Sequence, residues 1–276
     1  MPGNNALTER EIDSFKDSIM SNYRSAGRRF PWRETRDPYE IMVSEFMLQQ
    51  TQTERVIPKY EAWLNRFPDI ASVAESSLSE VLSLWVGLGY NRRARYLRET
   101  CVALRDSHSS RVPDDPEALV LLPGIGPYTA AAITTFAFGR VNAFIETNIR
   151  SVYLHFFFQG KTNVGDKEIL DLVRETLDRE NPREWYYALM DYGAELKRKF
   201  GNPNRSASGY ARQAAFKGSN REARGAIIRY LGSSNPASPQ EIAKAESIET
   251  DRIRRALEGL VKEGLIAERG GTYGLP

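Results

Sequence analysis

The chain has 276 residues, enough for one large or two to three modest domains, with 41% hydrophobic residues and a formal net charge of only +2. Its single cysteine, Cys101, excludes an intrachain disulfide, a cysteine-based zinc site and a four-cysteine iron–sulfur cluster, and His108 and His155 alone cannot hold zinc. The sequence shows no signal peptide and no apolar run long enough to cross a membrane, so a soluble, intracellular protein is expected.

In chain order, apolar residues recur at helical spacing in Ile41–Trp63, Ser77–Trp85, Arg92–Arg105, Pro116–Leu122 and Pro127–Gly139, separated by Gly, Pro and Asp stops. The chain thus reads as almost entirely helical to about residue 200. Two stretches look alike: Leu84-Trp85-Val86-Gly87-Leu88-Gly89-Tyr90 and Leu121-Leu122-Pro123-Gly124-Ile125-Gly126-Pro127. Each ends an apolar helix with Gly-aliphatic-Gly, so each is a candidate helix–hairpin–helix or simply a short interhelical turn. Between Leu196 and Tyr230 nine basic residues face a single acid, Glu222, which reads as a phosphate-facing surface or a solvated segment. Within it, residues 202–218 are polar and basic, a linker or an extended DNA-contacting strap. Helices are then expected over Ala226–Leu231, Ser238–Ala245 (Ser238 as N-cap) and Thr250–Glu263. The final run, Leu265 to Leu275, reads as strand, Gly-Gly turn, strand. Three helices and a hairpin in about fifty residues suggest a winged helix.

Two motifs carry chemistry. Gly124 and Gly126 permit backbone conformations and close approaches that side chains block, and Pro127 suits the first position of the next helix. The amides at that helix start then face an anion, which points to a DNA phosphate; a plain interhelical turn is the alternative. The carbonyls of Val120, Leu122 and Ile125 are placed to hold a monovalent cation, Na+ or K+. Glu45 lies among Ile41, Met42, Phe46, Met47 and Leu48, and such surroundings favour a neutral carboxyl suited to general acid catalysis, although half-exposed helical glutamates are common. Gln49 lies one turn on, on the same face.

Pro31-Trp32-Arg33, Asp37-Pro38-Tyr39, the run Val43 to Gln52 (VSEFMLQQTQ), Gly87-Leu88-Gly89-Tyr90, Arg92–Leu97 and LPGIGPYTAAAI resemble the A/G-mismatch adenine DNA glycosylase (MutY) family of the helix–hairpin–helix (HhH-GPD) superfamily. The resemblance runs from about residue 28 to Ala194. It implies an all-α, two-subdomain glycosylase fold that flips a nucleotide from double-stranded DNA and cleaves its N-glycosidic bond. It implies that Glu45 protonates adenine at N7, that a second carboxylate stabilises the oxocarbenium-like sugar, and that Gln49, Gln50 and Tyr90 wedge into the duplex beside Arg92. Gly124, Gly126 and Thr129 fall on the DNA-gripping hairpin. Trp32 and Asp191 fall near the base pocket, although Asp191 is equally suited to a structural role.

The resemblance also has departures. Glu146 stands at the family's second aspartate, with Asn148 at the usual asparagine. Tyr128 stands where members with lyase activity carry a lysine, which implies a monofunctional enzyme that leaves an abasic site. The four iron–sulfur cysteine places fall near Lys197, Asn204, Ala207 and Gln213, so no cluster and no required cofactor are expected. A winged helix stands where the family has a Nudix-like domain; Arg252, Arg254, Arg255, Lys262 and Arg269 then either touch phosphates or form a solvated or protein-binding face. The expected organisation is a glycosylase domain over 1–218 and a winged helix over 219–276. The first comprises a six-helix subdomain over about 37–145, a second subdomain from 1–36 and 146–201, and a basic strap over 202–218. The expected activity is removal of adenine opposite guanine or 8-oxoguanine by a cytoplasmic, nucleoid-associated monomer. The alternatives are excision of mismatched uracil, thymine or hypoxanthine, or non-catalytic DNA binding.

Overall fold

Helix starts are written locally in this chain. Asp37 accepts from the amides of Tyr39 (2.8 Å) and Glu40 (3.3 Å) ahead of Pro38, and Thr8, Ser77 and Ser238 each form a reciprocal capping box with the glutamate three residues on. The computed structural model describes residues 7–211, 215–233 and 236–276. Among them, helices α1 to α8 are Glu9–Ala26, Pro31–Glu34, Pro38–Leu48, Thr53–Arg66, Ile70–Glu75, Leu78–Trp85, Arg92–Ser107 and Pro116–Leu119. Helices α9 to α15 are Pro127–Phe138, Thr147–Phe157, Asp166–Thr176, Pro182–Phe200, Asn220–Ser233, Pro239–Glu246 and Thr250–Lys262, followed by strands β1 (Ala267–Arg269) and β2 (Thr272–Gly274). The fold is all-α with one small hairpin, as expected.

The chain forms two compact units. The first takes its described residues from Met1–Arg36, Asp114–Pro116 and Pro127–Arg212. In it α12 packs on α1 and α10 around a largely aromatic core. Phe15 meets Trp185 edge-on at 5.7 Å, Phe136 stacks on Tyr187 at 4.7 Å, and Phe144 stacks on Tyr186 at 3.9 Å.

The second unit comprises Asp37–Pro113, Glu117–Gly126 and the described part of Gln213–Pro276. Its centre is α3, buried on nearly every side from Tyr39 to Met47, with Trp63 set edge-on to Trp85 at 5.8 Å nearby. The winged helix belongs to this unit. Helices α13 to α15 bury Ile227, Ile242, Ile253, Leu257 and Leu260, and α13 also packs on α6. Strands β1 and β2 pair antiparallel with Arg269 opposite Thr272, and Gly270 and Gly271 both take positive φ, the backbone of a two-residue hairpin turn.

Four points differ from the sequence reading. The Ile41–Trp63 periodicity breaks into α3 and α4, because Gln50 sits at φ 56° and Gln52 is extended before Thr53. Residues 202–211 are no extended strap. Pro203–Ser206 is a 3-10 turn whose Asn204 is buried and donates to Ser151 Oγ (2.7 Å) and the Thr147 carbonyl (3.1 Å), while Ala207 bridges to Val164. Arg212 and Gln213, part of the basic block and of the cysteine places, lie outside the described residues. The units also divide the chain differently from the expected subdomains: α9 goes with α12 through Phe136, and the winged helix goes with α6 and α7. Finally, the two glycine stretches share sequence but not backbone. Gly87, Gly89 and Tyr90 are all at positive φ, whereas only Gly124 is so in the later turn.

Candidate functional site

In the second unit, α3 places Glu45 in the interior, 6% exposed. The helix ends three residues later at Leu48, Gln49 is its C-cap, and Gln50 follows, exposed and left-handed. Across from it, the α6–α7 turn presents Tyr90, 39% exposed at φ 48°. Arg93 joins these two segments, and sequence reasoning gave it no role. Its Nη1 donates to the carbonyls of Phe46 (2.7 Å) and Met47 (3.0 Å). Its Nη2 donates to Thr51 Oγ1 (3.0 Å) and the carbonyls of Leu88 (3.3 Å) and Gly89 (3.0 Å). Burial pulls the Arg93 pKa down to about 10, so it is still a cation at neutral pH.

The glycine turn of the same unit is held from α7. Thr100 Oγ1 donates to the Pro123 carbonyl at 2.6 Å, and a Cβ on Gly124 would lie 2.5 Å from Tyr96 Cβ, at φ 74°. Glycine is required there on both counts. Gly126 is exposed and a Cβ there would meet nothing within 4 Å. The Leu122 carbonyl accepts from the Ile125 amide at 3.3 Å, which closes the turn carrying the Val120, Leu122 and Ile125 carbonyls.

A groove of about 1430 Å³ in this unit is lined by Gln50, Tyr90 and Arg92, by Lys217 ahead of α13, and by Arg221 and Arg229 of α13. Several of its cations are already paired. Arg92 meets Glu263 (3.1 Å), which also binds Arg224 (2.6 Å), and Arg252 meets Glu222 (2.9 Å). Arg252 therefore serves first to fasten α15 to α13. Arg255 and Arg269 are exposed.

In the first unit, Glu146 is the N-cap of α10. Its Oε1 accepts from the amides of Asn148 (2.6 Å) and Ile149 (2.8 Å), and its Oε2 lies 3.4 Å from Asn148 Nδ2. Asn148 Oδ1 in turn accepts from Lys197 Nζ at 2.8 Å. Lys197, Asn148 and Glu146 thus form a hydrogen-bonded chain. Burial pushes the Glu146 carboxyl up and the Lys197 ammonium down, while their mutual attraction opposes both shifts and the two amides oppose the first. Gly193 of α12 lets the helices cross here, since a Cβ on it would lie 2.2 Å from the Asn148 carbonyl oxygen. Tyr128, at the start of α9, is half-buried with its ring edge-on to Phe144 at 5.6 Å, and Thr129 beside it is buried.

Asp191 and Trp32 are both buried in the first unit. The Asp191 carboxylate accepts from Arg28 N (2.8 Å), Arg28 Nε (2.7 Å), Arg33 Nη1 (2.9 Å) and Arg33 Nη2 (2.9 Å). Burial alone would raise its pKa, but the two arginines outweigh it and hold the carboxyl below the usual range. Trp32 is buried and stacked on Phe30 at 5.0 Å. Sequence reasoning missed Arg93, whose one legible signal was its position next to the glycine turn, and Gly193, which had none; Lys197 was read only as a basic residue at a cysteine place, because its bond to Asn148 depends on a helix crossing.

Among the described residues no cluster of His, Cys, Asp and Glu is arranged to hold a metal ion, and no helix is long and apolar enough to cross a membrane. Residues 43–179 match the HhH-GPD superfamily base excision DNA repair protein family. An adenine DNA glycosylase of Mycobacterium tuberculosis is 32% identical over 283 aligned residues, covering 94% of this chain and 92% of that protein. The adenine DNA glycosylase of Homo sapiens is 34% identical over 67% of this chain, which spans 36% of that protein. Among solved structures, a thermostable thymine-DNA glycosylase is similar with a TM-score of 0.60 and 26% identity, over 67% of this chain and 87% of that one. A trapped endonuclease III–DNA covalent intermediate shares the fold at a TM-score of 0.59 and 20% identity, over 68% of this chain and 87% of that one.

Proposed function

Because the chain belongs to the HhH-GPD superfamily of base excision DNA repair proteins, within which it is similar along nearly its whole length to adenine DNA glycosylases, we propose that it is a DNA glycosylase that removes adenine mispaired with guanine or 8-oxoguanine. One observation carries the reading: a buried carboxylate, Glu45, on the helix that runs directly into the exposed, left-handed Gln50. A glutamate kept from water has a chemical use when the base to be protonated is delivered to it out of the duplex.

In the proposed reaction the duplex is gripped at the glycine turn, where Gly124 and Gly126 admit the sugar–phosphate backbone. Gln50 and Tyr90 enter the stack and offset part of the cost of unstacking the target. Glu45 protonates the flipped adenine at N7. The C1′–N9 bond then breaks, the electron pair leaves with the base, and water adds to C1′ while giving up a proton. Glu146 supplies the second carboxylate, and Asn148 and Lys197 hold it in place. The products are free adenine and an abasic site. Tyr128 has no amine for a Schiff base, so the reading is of hydrolysis without strand cleavage. The donors at the turn, three main-chain carbonyls and no acid, fit a monovalent cation such as Na+ or K+. Val120, Leu122 and Ile125 would hold it, and it would supply positive charge toward a phosphate. No step needs an iron–sulfur cluster: at the family's cysteine places Lys197 and Asn204 form hydrogen bonds to the first turns of α10.

The winged helix joins DNA binding through the groove it lines with Gln50 and Tyr90. Excision of uracil, thymine or hypoxanthine from a mismatch is the second reading, and the 26% identity to a thymine-DNA glycosylase favours thymine among these. The test is a cleavage screen. Duplexes carrying adenine opposite 8-oxoguanine, adenine opposite guanine, and uracil, thymine or hypoxanthine opposite guanine are incubated with the protein and treated with alkali. Scission of the first two supports adenine removal; scission confined to the others moves the specificity to the second reading.

A further inference from the structure

Arg93 holds together two pieces of chain that lie about forty residues apart. From α7 its guanidinium reaches four main-chain carbonyls and one hydroxyl: Phe46, Met47 and Thr51 on one segment, Leu88 and Gly89 on the other. Thr51 Oγ1 also stands 3.3 Å from the Leu88 carbonyl and 3.3 Å from the Gln49 carbonyl, so its single proton is shared between the two segments. The guanidinium also lies 5.4 Å from the Trp85 ring centre and 5.5 Å from that of Tyr90. Burying an arginine on carbonyl oxygens is costly, and the fold sustains it where the geometry of those carbonyls matters.

What the fork grips is informative. Gln50 and Tyr90 both take left-handed backbone, φ 56° and 48°, which disfavours side chains with a Cβ. Each sits next to a group that Arg93 holds: Thr51 follows Gln50, and Gly89 precedes Tyr90. Both side chains reach the surface. Two further acceptors, Phe46 and Met47, directly follow Glu45 on α3. One guanidinium therefore fixes the end of the acid-bearing helix and both strained, outward-facing residues.

We propose that Arg93 is a positioning residue, which holds Gln50 and Tyr90 in their strained conformations as a preset wedge and locks that wedge to the helix of Glu45. The proposal rests on the glycosylase reading only for what the wedge enters. A lysine keeps the charge but, as a single point of three donors, cannot span two segments as a planar fork does.

Two variants test this, R93K and, in case R93K does not fold, T51V, which leaves Arg93 in place and removes the hydroxyl between the segments. Three quantities are read: amide hydrogen exchange over residues 48–52 and 86–91, fluorescence of 2-aminopurine beside the target base, and single-turnover cleavage. For R93K the expected result is exchange faster by about tenfold or more in both segments together. Cleavage and the 2-aminopurine signal should fall at least about tenfold, and affinity for undamaged duplex should stay within about twofold. T51V should move the same quantities in the same direction by less. Wild-type exchange in both segments overturns the proposal, and so does exchange that rises in only one segment or uniformly across the chain. If the unaltered protein cleaves no duplex, the glycosylase reading fails while the exchange result still decides the role of Arg93.

Discussion

Replacing Gly193 with alanine tests how the second carboxylate is held. Gly193 lies where α12 crosses the start of α10. A Cβ there would stand 2.2 Å from the Asn148 carbonyl oxygen, 2.6 Å from its carbonyl carbon and 2.9 Å from its Cα. All three are backbone atoms, so no rotamer change relieves the clash, and the crossing has to open by about 0.8 Å to reach even a tight contact. Overpacking of this kind costs about 1–3 kcal/mol, while alanine in place of glycine in a helix returns up to about 1 kcal/mol. The net loss is at most about 3 kcal/mol, a fall in Tm of no more than about 6–12 °C. The displaced residue is the one whose amide binds Glu146 Oε1 at 2.6 Å. A misplacement near 1 Å at a reacting centre can cost about 100-fold in rate. We expect G193A to remain folded, with single-turnover cleavage lowered by about that factor and duplex affinity little changed. Calorimetry and cleavage kinetics measure both quantities. Gly225, in α13, is the control, because a Cβ there meets nothing within 4 Å and alanine should be neutral or stabilising. Wild-type stability and rate in G193A would refute the claim that this crossing positions Glu146 through Asn148.

Other consequences follow from the same geometry. Asp191, with its carboxyl held below the usual range by Arg33 and Arg28, contributes stability that is full above its unfolded pKa of about 3.9 and lost as pH falls through the lower folded value. Acid unfolding below about pH 4 should therefore be shallower in D191N, which in exchange loses about 3–5 kcal/mol at neutral pH, chiefly by leaving the buried Arg33 side chain uncompensated, with the part-exposed Arg28 contributing less. Urea unfolding across pH checks both; equal pH profiles would show that the clamp is not linked to protons. Borohydride trapping on a cleaved duplex should give no covalent adduct, because Tyr128 offers no amine, and a strong adduct would place an amine elsewhere in the reaction. Substituting alanine at Gln50 and Tyr90 together should lower cleavage while leaving binding to undamaged duplex within about threefold, measured by fluorescence anisotropy.

Much of the architecture was legible because its causes are local. Ser238 and Glu241 cap α14, Pro38, Pro116 and Pro127 open helices, and the Gly270-Gly271 turn sets the wing. Glu45 and the glycine turn stood out for the same reason: each is odd in its own neighbourhood. What stayed hidden depends on partners far along the chain. The clamp on Asp191 comes from arginines some 160 residues earlier, and the need for glycine at position 193 comes from the backbone of Asn148. The polar, basic character of residues 202–218 suggested a linker or an extended DNA-contacting strap, yet Asn204 satisfies carbonyl and hydroxyl groups inside the fold. The break after α3 escaped the helical periodicity because the tertiary grip of Arg93, not a glycine or proline, stabilises the left-handed Gln50.

The central claim is that Glu45 is the acid that releases a flipped adenine. Its most direct measurement is single-turnover cleavage of a duplex with adenine opposite 8-oxoguanine by wild-type protein and by E45Q, with duplex affinity measured alongside. The account predicts alkali-labile sites with the wild type, and a loss of at least about 100-fold in E45Q with affinity retained. Cleavage by E45Q at the wild-type rate would contradict it.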